Sequence, residues 1–244
     1  MRKCLLLLTA LFLASCGLDD YPFINPVPQS NITQQLNNRA TVYIPNSNSE
    51  TFTHFAVFYR IYVSNTLVAS TVRDTYSTIN PALASDANVI RPYIDSDTLV
   101  DTNMDSFFQG RGYRYLSLQS ASSDTVLSSS VLGKNIVFDF SSSRNPTMII
   151  DSDVYTLIRS NGNGLFSPRP TDRLFVNTED LWKSEYINST TNADVVDLSG
   201  IADSDRRYTY AAMYIVAVGI NTATYSNIYS TPSLIHVFQL PDQW

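Results

Sequence analysis

A chain of 244 residues is long enough to bury a full hydrophobic core, as one large or two modest domains. It carries 16 basic against 22 acidic side chains, a net charge of −6; such a surface repels phosphate backbones and anionic head groups, which argues against nucleic acid and against a polybasic membrane contact. Three Lys and three Glu stand beside 71 Ser, Thr and Asn, with 15 Tyr and 12 Phe; formers of exposed helix are scarce and strand and turn formers abundant, so a mainly β fold is expected.

At the amino terminus Arg2 and Lys3 precede an apolar run, Leu5 to Leu13, and then the small residues Ala14 and Ser15 before Cys16. That is a secretory signal layout, and the run is too short to serve as a permanent span of about 20 residues. Leu13-Ala14-Ser15-Cys16 resembles the lipobox of bacterial lipoproteins, in which the cysteine thiol becomes a thioether to diacylglycerol and the signal is cut just before it. The resemblance implies that residues 1–15 are removed, that Cys16 carries lipid as the first mature residue, and that Cys4 is lost with the signal. No thiol then remains for a disulfide or a nucleophile, and stability must come from packing. Gly17 stands where an aspartate would retain a lipoprotein at the inner membrane in some bacteria, so the expected location is the cell envelope, with the outer membrane preferred.

Residues 16–31 hold Pro22, Pro26 and Pro28 without apolar periodicity and are expected to be an extended tether. The globular part is then expected from Ile32. Ala40 to Ile44 alternates as a strand, and Pro45 to Thr51 is rich in turn residues. Phe55 to Ser64 gives the clearest strand, with Phe55, Val57, Tyr59, Ile61 and Val63 on an inward face and Arg60, Tyr62 and Ser64 outward.

Residues 83–184 are read as a β-rich insertion, with strands expected at Tyr113–Gln119, Asn135–Phe140, Thr147–Ile150, Val154–Arg159 and Arg173–Asn177. Thr178 is placed to cap one helical turn running to Trp182. Beyond it, Tyr208–Ile220 is a long strand apolar on both faces, which calls for a cover on its outer side. Asn221–Tyr229 is polar and turn-like, and Leu234–Leu240 is the final strand.

Tyr59-Arg60-Ile61-Tyr62, Val216-Ala217-Val218, and Ser230 and Ser233 before the last strand are similar to the third strand and the last two strands of fibronectin type III domains. Tyr43 stands in place of that family's core tryptophan. The resemblance implies an immunoglobulin-like sandwich built from residues 32–82 and 185–244, and a role as a spacer or binding module.

Motifs for catalysis are scarce. His54 and His236 both lie in expected strands, and the chain lacks HExxH, a G-x-S-x-G elbow and a phosphate-binding glycine loop. Asp101, Asn103 and Asp105 match odd positions of a calcium loop, but Ser106 and Gly112 occupy its glycine and bidentate glutamate positions, so no metal site is assigned. The Asp-Ser-Asp triplets at 95, 151 and 203 read as turns. Neither catalytic residues nor a cofactor is assigned. The expected function is a noncatalytic lipoprotein binding an unknown protein or glycan, and a carboxylate-based hydrolase of envelope glycans is the alternative. For the partner, Phe107–Tyr115 offers Arg111, Tyr113, Arg114 and Tyr115, residue types favoured at binding hot spots, although a hairpin whose tyrosines fill the core is the competing expectation.

Overall fold

The computed structural model describes residues 24–35, 38–64, 113–119, 121–141, 146–159, 182, 195–197, 208–225 and 227–240. In chain order these form β1 (Ile32–Gln35), β2 (Arg39–Tyr43), β3 (Phe52–Ser64), β4 (Arg114–Tyr115), β5 (Ser117–Leu118), the short helix α1 (Ser123–Val126), β6 (Asn135–Asp139), β7 (Thr147–Ile150), β8 (Asp153–Ile158), β9 (Val195–Asp197), β10 (Tyr208–Ile220), β11 (Asn227–Tyr229) and β12 (Ser233–Gln239). The protein is mainly β, as its composition predicts. One sheet runs β1-β2-β6-β7-β8-β5, and the other β11-β10-β3-β4, with β12 also on β10 and β9 on β3. Among the described pairs only β3 with β9 is parallel.

The two sheets face each other across one core. Val42, Ile136, Phe138 and Met148 come from the first sheet; Phe55, Val57, Tyr59, Ile61, Met213 and Ile215 come from the second. The inward face expected for β3 is therefore the observed one. Trp182 is buried in the same core, its ring 5.1 Å from that of Tyr59 and 5.4 Å from that of Phe140, with Nε1 donating to the Leu157 carbonyl at 3.0 Å. Tyr43, at the end of β2, is 38 % exposed, so the aromatic centre of the core comes from Trp182 and not from Tyr43.

Tyr62, expected to face outward, is buried. It joins Ala56, Phe58, Tyr113, Tyr115, Tyr210, Tyr214, Val216, Val218 and Val237 in a second cluster on the opposite face of the β3–β10 sheet. The cause is legible in β10, whose sequence is apolar on both faces and whose residues from Thr209 to Gly219 are all buried. Tyr113 and Tyr115 supply part of the cover this strand requires. Along β12, Leu234 and Val237 both reach this outer cluster although they lie three positions apart, an odd spacing that regular alternation would put on opposite faces. A bulge opposite Met213 and Tyr214 inserts Ile235, which points into the central core and resets the alternation.

Two boundaries differ from the expected ones. Ile24 and Val27 are buried members of the central core, so the folded body begins by Ile24 and not at Ile32. An extended Pro-rich segment need not be a free tether, because its fixed φ angles also suit a strip laid along a sheet edge. The segment 83–184, expected to pack as an insertion against a finished sandwich, contributes β6, β7, β8 and β5 to the same sheet as β1 and β2. The link is the full-length pairing of β2 with β6, from Arg39 opposite Asp139 to Tyr43 opposite Asn135. Residues 173–177, expected as a strand, and 178–181 lie outside the described residues.

Turn chemistry follows the sequence where it is described. Asp151 and Ser152 form a two-residue hairpin between β7 and β8, with Asp151 at φ 54°, a conformation Asp tolerates better than most residues. Asn221–Tyr229, expected to be wholly a turn, divides into a turn at 221–225 and β11.

Candidate functional site

The residues singled out from sequence fall into two groups. Cys16 and Arg111 lie outside the described residues. Tyr113, Arg114 and Tyr115 are all buried, at the edge where β4 pairs with β3: Phe58 lies opposite Tyr115 and Tyr59 opposite Arg114. An interaction hot spot must be reachable, and these three side chains are committed to the protein's own packing. Tyr113 Oη is 3.0 Å from Tyr62 Oη, its ring meets that of Tyr214 edge-on at 5.5 Å, and the Arg60 guanidinium lies over both Tyr62 and Tyr113, at 5.6 and 6.0 Å. Arg114 Nη1 donates to the Tyr113 carbonyl at 3.2 Å. Burial, reinforced by the neighbouring Tyr214 and Tyr62, holds the Tyr113 hydroxyl well above its ordinary range, so it stays a neutral hydrogen-bonding group.

A small titratable cluster that the sequence did not reveal lies beside this edge. The Tyr115 hydroxyl donates to Asp124 Oδ1, in the first turn of α1. His54 Nε2 approaches the same oxygen at 3.8 Å, and its Nδ1 is 3.0 Å from Thr53 Oγ1. The Thr53 hydroxyl in turn donates to the Val218 carbonyl at 3.0 Å, so the imidazole is the donor toward Thr53. Burial raises the Tyr115 pKa, and Asp124 raises it further. Burial lowers that of His54, and Asp124 opposes the shift only in part. Burial therefore favours the neutral imidazole.

Chemically this cluster holds α1 against β3 and β4. The backbone supports it: the Phe55 amide donates to the Leu127 carbonyl at 2.8 Å and the Leu116 amide to the Val57 carbonyl at 2.8 Å. Thr53, His54 and Asp124 superficially line up as nucleophile, base and orienting acid, but the Thr53 proton is directed away from the imidazole, to Val218. No sequence pattern could have joined His54 to Asp124, since their meeting depends on where α1 docks. Among the described residues no group of three or more His, Cys, Asp or Glu is placed to hold a metal ion.

Comparison with known protein families, curated proteins and solved structures finds no match. What the fold defines on its own is a mainly β protein of two largely antiparallel sheets closed over a common core.

Proposed function

We propose that the protein is a lipid-anchored lipoprotein of the cell envelope, attached through diacylglycerol on Cys16, with a noncatalytic binding or structural role. The observation that carries this reading is Leu13-Ala14-Ser15-Cys16 at the end of a short apolar run, followed after only seven residues by Ile24, which is buried and the first of the described residues. A signal with a lipid-accepting cysteine leading directly into a β domain suits a protein held at a membrane surface. Gly17 favours the outer membrane.

The body of the protein is, in this reading, a variant of the fibronectin type III-like sandwich. In immunoglobulin-like folds strands A, B and E share one sheet and C, F and G the other. The run β1-β2-β6 and the run β3-β10-β12, all antiparallel neighbours, correspond to these two sets. Such sandwiches serve as spacers and binding modules, which supports a noncatalytic role.

The test is replacement of the lipid acceptor. Cys16→Ser should abolish incorporation of labelled fatty acid and release the protein from the membrane fraction, because stable anchoring needs two acyl signals and the thioether supplies them. A Cys16→Ser protein that still partitions with membranes would refute the anchor.

A further inference from the structure

One end of the sandwich gathers the large exposed apolar side chains of the described residues. Among the described residues the large hydrophobic side chains left exposed are Tyr43 (38 %), Val154 (62 %), Ile220 (38 %) and Tyr225 (85 %). Register places all four at the same end. Tyr43 closes β2 opposite Asn135, the first residue of β6. Val154 lies one position past the β7–β8 hairpin, whose Ile150 pairs with Ile136. Ile220 ends β10, opposite Asn227, and Tyr225 lies in the turn between them.

The amino-terminal segment starts at that end too. Ile24 Cδ1 lies against Gly219, and Asn25 and Asn48 exchange amide hydrogen bonds at 3.0 and 2.9 Å, fixing the segment to the β2–β3 loop. Ile24 lies eight residue steps from Cys16, a span of at most roughly 29 Å even when fully extended. The opposite end carries the β1–β2 hairpin with exposed Gln35.

Tyr225 is held in an unusual way. Its φ is 58°, a left-handed conformation costly for a bulky side chain, and its amide donates to the Asn221 carbonyl at 2.7 Å. The Asn221 side chain accepts from the Ala223 amide at 2.9 Å, so the turn that presents Tyr225 is internally braced. The turn thus displays an aromatic ring to the outside in a costly conformation, and tyrosine is enriched at membrane–water interfaces, with an apolar body and a polar tip.

We infer that this end of the sandwich rests on the lipid surface, with Tyr225 and Ile220 seated at the head-group boundary and Tyr43 and Val154 flanking them. The inference rests on lipidation of Cys16: a short tether turns contact with the bilayer into an intramolecular event, so a few apolar side chains suffice. Charge is not the attraction. Lys134 at this end is paired with Asp151 at 2.9 Å, and Glu50 and Asp153 are also nearby, which suits a zwitterionic surface better than an anionic one. The opposite end, with the β1–β2 hairpin, is held away from the membrane.

The experiment uses full-length protein purified from the membrane, carrying Tyr225→Cys or, as the control, Gln35→Cys, both exposed positions. Lipidation blocks the Cys16 thiol, so a fluorophore attaches only to the introduced cysteine. Each protein is reconstituted into vesicles of equal parts phosphatidylethanolamine and phosphatidylcholine with a nitroxide-labelled lipid. Quenching at position 225 should exceed that at position 35 by about threefold or more, since interfacial groups sit within the outer 5–10 Å that the nitroxide reaches. Mass spectrometry of the amino-terminal peptide separates the two ways of failing. A peptide without diacylglycerol overturns the anchor and this orientation with it, whereas a lipidated peptide with equal quenching at both positions overturns the orientation alone. A label at position 225 already shielded in detergent and indifferent to the nitroxide lipid assigns the patch to a protein partner, and also overturns the inference.

Discussion

Asn38 and Gln239 are joined through both halves of one side-chain amide: Asn38 Nδ2 donates to the Gln239 carbonyl at 2.8 Å, and the Gln239 amide donates to Asn38 Oδ1 at 3.0 Å. Gln29 does the same to Leu234, at 2.8 and 3.1 Å, and Gln34 Nε2 donates to the Ile235 carbonyl at 3.1 Å. Three amide side chains from the amino-terminal 40 residues thus occupy backbone groups of Leu234, Ile235 and Gln239 along the outer edge of β12. Unpaired edge groups are templates for unwanted pairing, and here side chains of the chain's own first segment fill them. The same contacts tie the β1–β2 sheet to the β12 sheet.

The Asn38 bridge has a backbone component and a side-chain component that substitution can separate. Asn38 has φ 58°, which glycine adopts freely and alanine does not. Asn38→Gly should cost about 1–3 kcal/mol, the worth of two hydrogen bonds to a strand end. Asn38→Ala should cost more, by the added strain of about 1 kcal/mol. Urea midpoints for the two variants check the order; equal losses would mean that the backbone conformation contributes nothing.

The burial of Ile24 makes a sharp prediction about where the fold begins. If residues 16–31 were a tether, truncating Ile24 would change nothing. In the observed packing Ile24→Ala should lower unfolding stability by about 2–5 kcal/mol. Gly219→Ala attacks the same contact from the other side: an added Cβ would lie 2.3 Å from Ile24 Cδ1 and 2.5 Å from the Thr51 carbonyl oxygen. The isoleucine can turn aside, but the backbone oxygen cannot, so a loss of about 1–3 kcal/mol is expected. Thermal denaturation of both variants is the measurement, and an unchanged melting temperature for Ile24→Ala would return the segment to the tether.

On β3 the expected contrast between an inward and an outward face is replaced by two buried faces of different character. Ile61→Ala should cost about 2–5 kcal/mol through the cavity it leaves between the sheets. Tyr62→Phe removes only the hydroxyl that meets Tyr113, and should cost about 0.5–1.5 kcal/mol. Arg60→Ala loses the guanidinium lying over Tyr62 and Tyr113, worth about 0.5–2 kcal/mol. Urea unfolding of the three variants should place Ile61→Ala well beyond the others; a larger effect from Arg60→Ala would invert the assignment of the two faces.

Legibility in the sequence follows the range of the signal. Strands β7 and β10 are observed with the boundaries their patterns predict, and β3 and β6 nearly so, because alternation and β-branched or aromatic runs are local properties. The doubly apolar pattern of β10 correctly calls for a cover on both faces. Partnership was not legible: nothing near Val42 announces that Ile136 will lie opposite, and this one pairing turns an expected insertion into part of a sheet. Tyr113, Arg114 and Tyr115 illustrate the same limit at the candidate site. Aromatic and basic residues beside glycines look alike in an exposed loop and at a buried sheet edge, and only the pairing with Phe58 and Tyr59 decides between them. The amides of Gln29, Gln34 and Asn38 were silent for another reason, since polar side chains that cap a distant strand leave no periodicity.

His54 gives the structure a predictable response to acid. Burial sets its pKa below the ordinary 6.5 in the folded protein, with Asp124 opposing. The unfolded chain, free of both influences, takes up its proton near 6.5. Between that pH and the lowered folded value the unfolded state therefore binds more protons, and stability falls as pH falls. The contribution is fully present above about pH 7 and diminishes below about pH 6.5. Other groups titrate over the same range, so the informative quantity is a difference. His54→Gln, which keeps a polar side chain near Thr53 and Asp124 without a titrating proton, should flatten the dependence of unfolding free energy on pH between about 7 and 5, by at most about 1.4 kcal/mol per pH unit. Urea unfolding of both proteins across that range supplies the curves. Parallel curves would mean that His54 titrates alike in the folded and unfolded states, and a steeper curve for the variant would mean that the ion pair with Asp124 outweighs burial.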